Sequence, residues 1–287
     1  MYPMLRRHPL VSFFALAYVL SWILWIPLLY GRFALGWTSW EGNAWTNGRT
    51  LLGILGSLGP AFAAVLMSHA LEGSAGVGKL LRRLVQWRVS WGWWAIALYG
   101  WWLAASILAV ALDLVPASKV GIQALFALIN IPVILALLQM PLLAGILGEE
   151  LGWRGFALPR LEARFGPLAA SVVLALFWTF WHAPLAVFPE WIGHQPLHVF
   201  AGRYLLLVLP LTLIFTWYFA RVGQSVLLAI VFHRTLNLTF NAYSTALGLP
   251  RETGSTLTDG LIVVLWIWAI VLVAYYIRTA RTTRPAP

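Results

Sequence analysis

Apolar residues run through this chain in long blocks, and polar residues sit almost entirely between the blocks. Uninterrupted runs near or above the roughly 18 to 20 residues that cross a bilayer as a helix recur from one end to the other. They predict spans at about residues 10–30, 51–71, 91–115, 122–147, 167–187, 204–221, 225–243 and 261–277. The short alternating segments of a membrane barrel, about ten residues each, do not occur. The expected fold is therefore all-α: a polytopic integral membrane protein of about eight transmembrane helices. An even number of spans puts both termini on one side.

Composition agrees, with 61% hydrophobic and 10% charged residues over 287 positions, against about 45–50% and about 25% in soluble domains. Lysine and arginine supply a test of the span count, because they concentrate in loops on the cytoplasmic side. Arg6, Arg7, Lys79, Arg82, Arg83, Arg88, Arg154, Arg160, Arg164, Arg221, Arg278, Arg281 and Arg284 fall on one side, and Arg32, Arg49, Lys119, Arg203 and Arg251 on the other. The richer side is assigned to the cytoplasm, where both termini are expected. Arg6 and Arg7 before an apolar run of about 20 residues, with no A-x-A-like cleavage site, predict an uncleaved first span.

The net charge of +10 is spread over span ends. It speaks for anionic lipid as partner and not for nucleic acid, which needs a continuous basic field. Residues 79–90 mix basic residues with Leu, Val and Trp, the pattern of an amphipathic helix on the inner leaflet. Gly53, Gly56, Ser57 and Gly59 predict a close helix–helix approach, and the 18 Trp fit an interfacial belt. With no cysteine, thiol chemistry and disulfides are excluded.

Ionisable groups within a membrane are costly and mark function. Here they are Glu149, Glu150 and Arg154 near the end of the fourth span, His182 in the fifth, and His233, Arg234 and Asn237 in the seventh. Helical spacing sets Glu150 and Arg154 on one face and turns Glu149 about 100° away. An ion pair between the first two leaves Glu149 directed at the bundle interior as a general base. His233, Asn237 and Asn241 recur every fourth residue, one polar stripe on an apolar helix. Glu149 with His182 to deprotonate water, and His233 with Asn237 to donate to an oxyanion, are a sufficient set for hydrolysing an amide. Counting the helical rise from the cytoplasmic ends places His182 about 22 Å deep and His233 about 12 Å deep. A proton- or ion-coupled transporter using the same residues is the alternative. A non-catalytic scaffold, in which these groups only satisfy one another, is a third reading.

The order E-E-x-x-x-R, F-x-x-x-H and H-x-x-x-N on successive late helices resembles the CPBP family, which takes in type 2 CAAX prenyl proteases and the Abi or lysostaphin-resistance-like proteins. Glu149, Glu150 and Arg154 match the first motif, and His233 and Asn237 the last. His182 matches the second, with Trp178 where the family usually has Phe; this exchange is expected to touch packing and leave the chemistry alone. The resemblance implies an intramembrane endopeptidase working near the cytosolic face on a membrane-bound or membrane-proximal peptide, prenylated in one branch of the family. It implies Glu149, His182, His233 and Asn237 as catalytic residues, with Glu150, Arg154 and Trp178 in support. Residues 122–287 then form the protease-like core of helices 4–8, and residues 1–121 the first three helices with the basic interfacial segment, all in one membrane domain. Metal-independent glutamate catalysis is favoured, since no H-E-x-x-H is present; if zinc takes part, its ligands are Glu149, His182 and His233.

Overall fold

The structure, a computed structural model, describes residues 2–34, 48–116, 140–187, 197–246 and 249–282. These residues are helical apart from turns and short irregular connections, and no strand occurs among them. Among the described residues, six helical stretches are long and apolar enough to cross a membrane: Pro9–Gly31, Leu51–Val85, Trp91–Ala111, Gly145–Trp181, Ala201–Arg221 and Thr256–Thr279. The predicted seventh span is present as the shorter apolar helix Val226–Phe240. Most of the predicted span 122–147 lies outside the described residues, as do Lys119, Arg284 and the side chain of Asn241.

Ten α-helices carry the architecture of the described residues: α1 (Tyr2–Arg7), α2 (Pro9–Ala34), α3 (Gly48–Ser57), α4 (Gly59–Arg82), α5 (Trp91–Ala111), α6 (Met140–Gly152), α7 (Leu158–Trp181), α8 (Leu197–Arg221), α9 (Val226–Ala246) and α10 (Arg251–Thr282). The main contacts join α2 to α4, α8 to α7, α9 to α5, α4 to α6, and α8 to α10. The α3–α4 junction lies against α6, where a side chain at Gly148 would meet the Ser57 carbonyl and Leu58, and one at Gly152 would meet Pro60. Glycine at these two positions lets backbone approach backbone, a contact that membrane helices use because lipid gives them no hydrophobic reason to associate. The small residues singled out in the second span serve the same end. Gly56 lies under the Trp25 ring and Gly59 under Ser21.

The chain between the predicted fourth and fifth spans is not a loop. α6 passes through a π-helical turn, Trp153–Ala157, straight into α7, which kinks at Gly166 with φ 75°. Arg154, counted above with the cytoplasmic loop charges, is fully buried. A guanidinium tolerates that position only because an acid on the same helix meets it. α7 stops at Trp181, so His182 caps a helix end instead of lying inside the fifth span. The basic segment is also corrected. Helix continues only to Arg82, after a break at Gly73, and gives way to a 3-10 turn over Arg83–Val85 and non-helical chain from Gln86. Arg83 explains the end of the helix: it turns inward and donates to the Gly155 carbonyl at 2.8 Å and to Gln224 at 2.8 Å. These bonds tie the segment to the bundle.

Candidate active site

Glu149 and Glu150 stand in the last turn of α6, just before the π-helical turn, and both are buried, where an uncompensated carboxylate is costly. Each acid must therefore be satisfied by its surroundings. The π-helical turn that follows is a local unwinding of the kind common at functional sites. Within it Arg154 reaches back, and its Nη1 donates to Glu150 Oε1 at 2.8 Å with both side chains fully buried. The guanidinium is held between two rings, its Cζ 4.2 Å from the Trp178 ring and 4.2 Å from that of Phe215. Two aromatic faces offer a desolvated cation an attraction that lipid cannot. Glu150 Oε1 also meets His233 Nδ1 at 2.7 Å, a contact across 83 residues of sequence. One carboxylate oxygen thus holds an arginine from its own chain segment and a histidine from α9.

Glu149 turns the other way, as its helical phase requires. Its Oε2 accepts a hydrogen bond from Trp178 Nε1 at 2.5 Å, and it faces His182 Nε2 at 4.0 Å. His182 Nδ1 lies 2.8 Å from the Trp178 carbonyl. A carbonyl only accepts, so Nδ1 carries the hydrogen, and in the neutral form of the ring Nε2 presents a lone pair toward Glu149. Tyr204, from α8, places its hydroxyl 3.4 Å from the same Nε2 and packs edge-on against the imidazole with centroids 5.1 Å apart. The Trp181 ring closes the other side at 4.7 Å.

Glu149, Glu150, Arg154, Trp178, His182 and His233 therefore share one enclosure. Trp178 lies at its centre, with ring centroids 6.5 Å from His182 and 5.5 Å from His233. The unequal depths expected for the two histidines give way to a common indole between them. Asn237 follows His233 by one turn of α9, half-buried and on the same face. Sequence reasoning missed Tyr204 and Phe215. Neither stands in a polar pattern, and only the packing of α8 against α7 brings them in.

The enclosed charges do not balance when both carboxyls are ionised and both imidazoles neutral, since one guanidinium then faces two anions. One further proton, on an imidazole or a carboxyl, makes the set neutral. Glu149, His182 and His233 do not form a metal-holding group, and none exists among the described residues.

Fold and site together define an integral membrane protein with an enclosed glutamate–histidine centre. Residues 129–239, which contain every side chain just described, match the family profile described as type II CAAX prenyl endopeptidase Rce1-like. Among curated proteins, the chain is similar to CAAX prenyl protease 2 of Methanococcus maripaludis, 36% identical over 93 residues. That alignment covers 31% of this chain and 34% of the relative, so the two are matched over about a third of the relative's length.

Proposed function

We propose that this chain is an intramembrane endopeptidase that hydrolyses a peptide bond of a membrane-associated substrate, a prenylated CAAX-type peptide being the first to test. The observation that carries the reading is the pair of acceptors, Glu149 Oε2 and His182 Nε2, facing each other at 4.0 Å inside a closed bundle. Two acceptors need a donor between them, and a water donating to both holds them about 4 to 4.5 Å apart. Such a water attacks the substrate carbonyl carbon as Glu149 takes its proton, which then passes to the amide nitrogen as the C–N bond breaks. The water oxygen ends in the new carboxyl group and the proton on the new amine.

The developing oxyanion needs donors on the opposite side of the carbonyl. His233 and the carboxamide of Asn237 supply them. Glu150 keeps a hydrogen on His233 Nδ1, so an Nε2–H donor means an imidazolium, whose charge Glu150 offsets. Arg154 then holds Glu150 in place between the two rings. The same polar groups would suit an ion-coupled transporter, but the family match of residues 129–239 favours hydrolysis.

The test is cleavage of a prenylated reporter peptide by protein purified in detergent, with and without a chelator, beside Glu149→Ala and His233→Ala. Cleavage by the wild type and its loss, by about 100-fold or more, in both folded variants is the expected result, on the scale of a removed general base. Equal turnover in the variants would end the proposal.

A further inference from the structure

Trp178 occupies the place at which the resembled family usually has Phe, and the exchange is chemical as well as steric. Phenylalanine has no donor, whereas the Trp178 indole N–H reaches Glu149 Oε2 at 2.5 Å. We infer that Trp178 is a positioning residue for hydrolysis in this chain, orienting Glu149 through its indole N–H and His182 through its backbone carbonyl. This inference rests on the endopeptidase reading above and deepens it.

Four contacts converge on the one residue. The indole N–H donates to Oε2, the same oxygen that faces His182 Nε2, and so restrains the carboxylate. The carbonyl of Trp178 takes the hydrogen of His182 Nδ1 at 2.8 Å, which fixes the tautomer that leaves Nε2 as an acceptor. The ring face carries the Arg154 guanidinium at 4.2 Å, and the edge of His233 meets it at a 5.5 Å centroid separation. The base and its histidine partner are thus aimed by two ends of a single residue. Helical geometry makes this possible, because the carbonyl of residue 178 and the side chain of residue 182 lie one turn apart on α7. A Phe at 178 would keep the carbonyl bond to His182 and the ring beneath Arg154. The bond to Glu149 would go, together with the packing of the second ring, which the isosteric replacement below retains.

That difference gives a clean test. Residue 178 is replaced by 3-benzothienylalanine, which keeps the bicyclic shape and puts sulfur in place of N–H, and by Phe in Trp178→Phe. With the prenylated reporter peptide, both are expected to lower kcat by about 10- to 100-fold, the scale of one hydrogen bond to a charged group, with KM within about twofold. An unchanged kcat, or a change confined to KM, overturns the inference. A second arm needs no turnover: melting temperatures are compared for the benzothienyl replacement in the wild-type and Glu149→Leu backgrounds. Destabilisation in the first and none in the second is expected, and equal losses in both overturn the inference. If the wild type cleaves nothing, the endopeptidase reading fails, while the melting cycle still decides whether Trp178 and Glu149 are coupled.

Discussion

Glu150 and Arg154 are adjacent turns of one chain, both without solvent exposure, and each is the other's main reason to be tolerated inside the protein. Removing one partner of such a pair typically costs about 3–5 kcal/mol, because the survivor stays buried and uncompensated. Glu150→Gln is accordingly expected to melt several degrees below the wild type in detergent. Glu149→Gln, with a carboxylate held by one indole and no cation, should melt within about a degree or two of it. A matching loss in both would contradict the division of labour between the two acids. Tyr204 poses a separate question at this scale. Its hydroxyl lies at 3.4 Å from His182 Nε2, beyond the usual range for a strong O–H donor. Tyr204→Phe should therefore cost less than about tenfold in kcat/KM, measured with the reporter peptide, whereas His182→Ala should abolish turnover. The i, i+4 pairing of Glu150 with Arg154 was legible from spacing alone. The bonds from Glu149 to Trp178 and from Glu150 to His233 were not, since they join residues 29 and 83 positions apart.

Among the elements, α6 does most to place the site, and it does so by losing side chains. Gly148 and Gly152 abut the chain at Ser57, Leu58 and Pro60, so a larger residue there must push α6 off the α3–α4 junction. Gly148→Val carries the displacement directly to Glu149. It should lower both melting temperature and cleavage, with an overpacking cost of about 1–3 kcal/mol. Gly92→Val, at a position with open space around its Cβ, is the matched control and should leave both nearly unchanged. Apolar run length located most spans within a few residues, including Pro9–Gly31 and Trp91–Ala111. It failed between α6 and α7, where a polar stretch read as a loop is a π-helical turn folded into the core. Charge signals exposure only when it is unpaired, and Arg154 is paired.

For the molecule as a whole, the side of the membrane that holds the site is a question of orientation, and the chain makes it easy to ask. It has no cysteine, so a single introduced thiol reports without background. Arg88→Cys tests the side rich in lysine and arginine. Arg203→Cys tests the other side, where Arg203 meets Asp259 at 3.3 Å on an exposed surface. A membrane-impermeant maleimide applied to intact cells is expected to label the second and spare the first until the cells are opened. The reverse pattern would turn the bundle over. The basic asymmetry that motivates this expectation persists after Arg154 is withdrawn from it.

Hydrophobic run length and basic residue placement determined, without coordinates, that this is a helical membrane protein and which few polar residues it carries in its spans. Both signals are additive along the chain and need no knowledge of neighbours. The three spaced motifs also lie within residues 129–239, the stretch that matches the Rce1-like family profile. Tertiary structure alone decided what those residues face. Trp178 became a donor to Glu149 instead of filler beside His182, Tyr204 entered from a helix with no polar pattern, and Arg154 went from loop charge to buried counterion. Contacts of this kind depend on how separate helices lean together, and nothing in the spacing within any one of them records that.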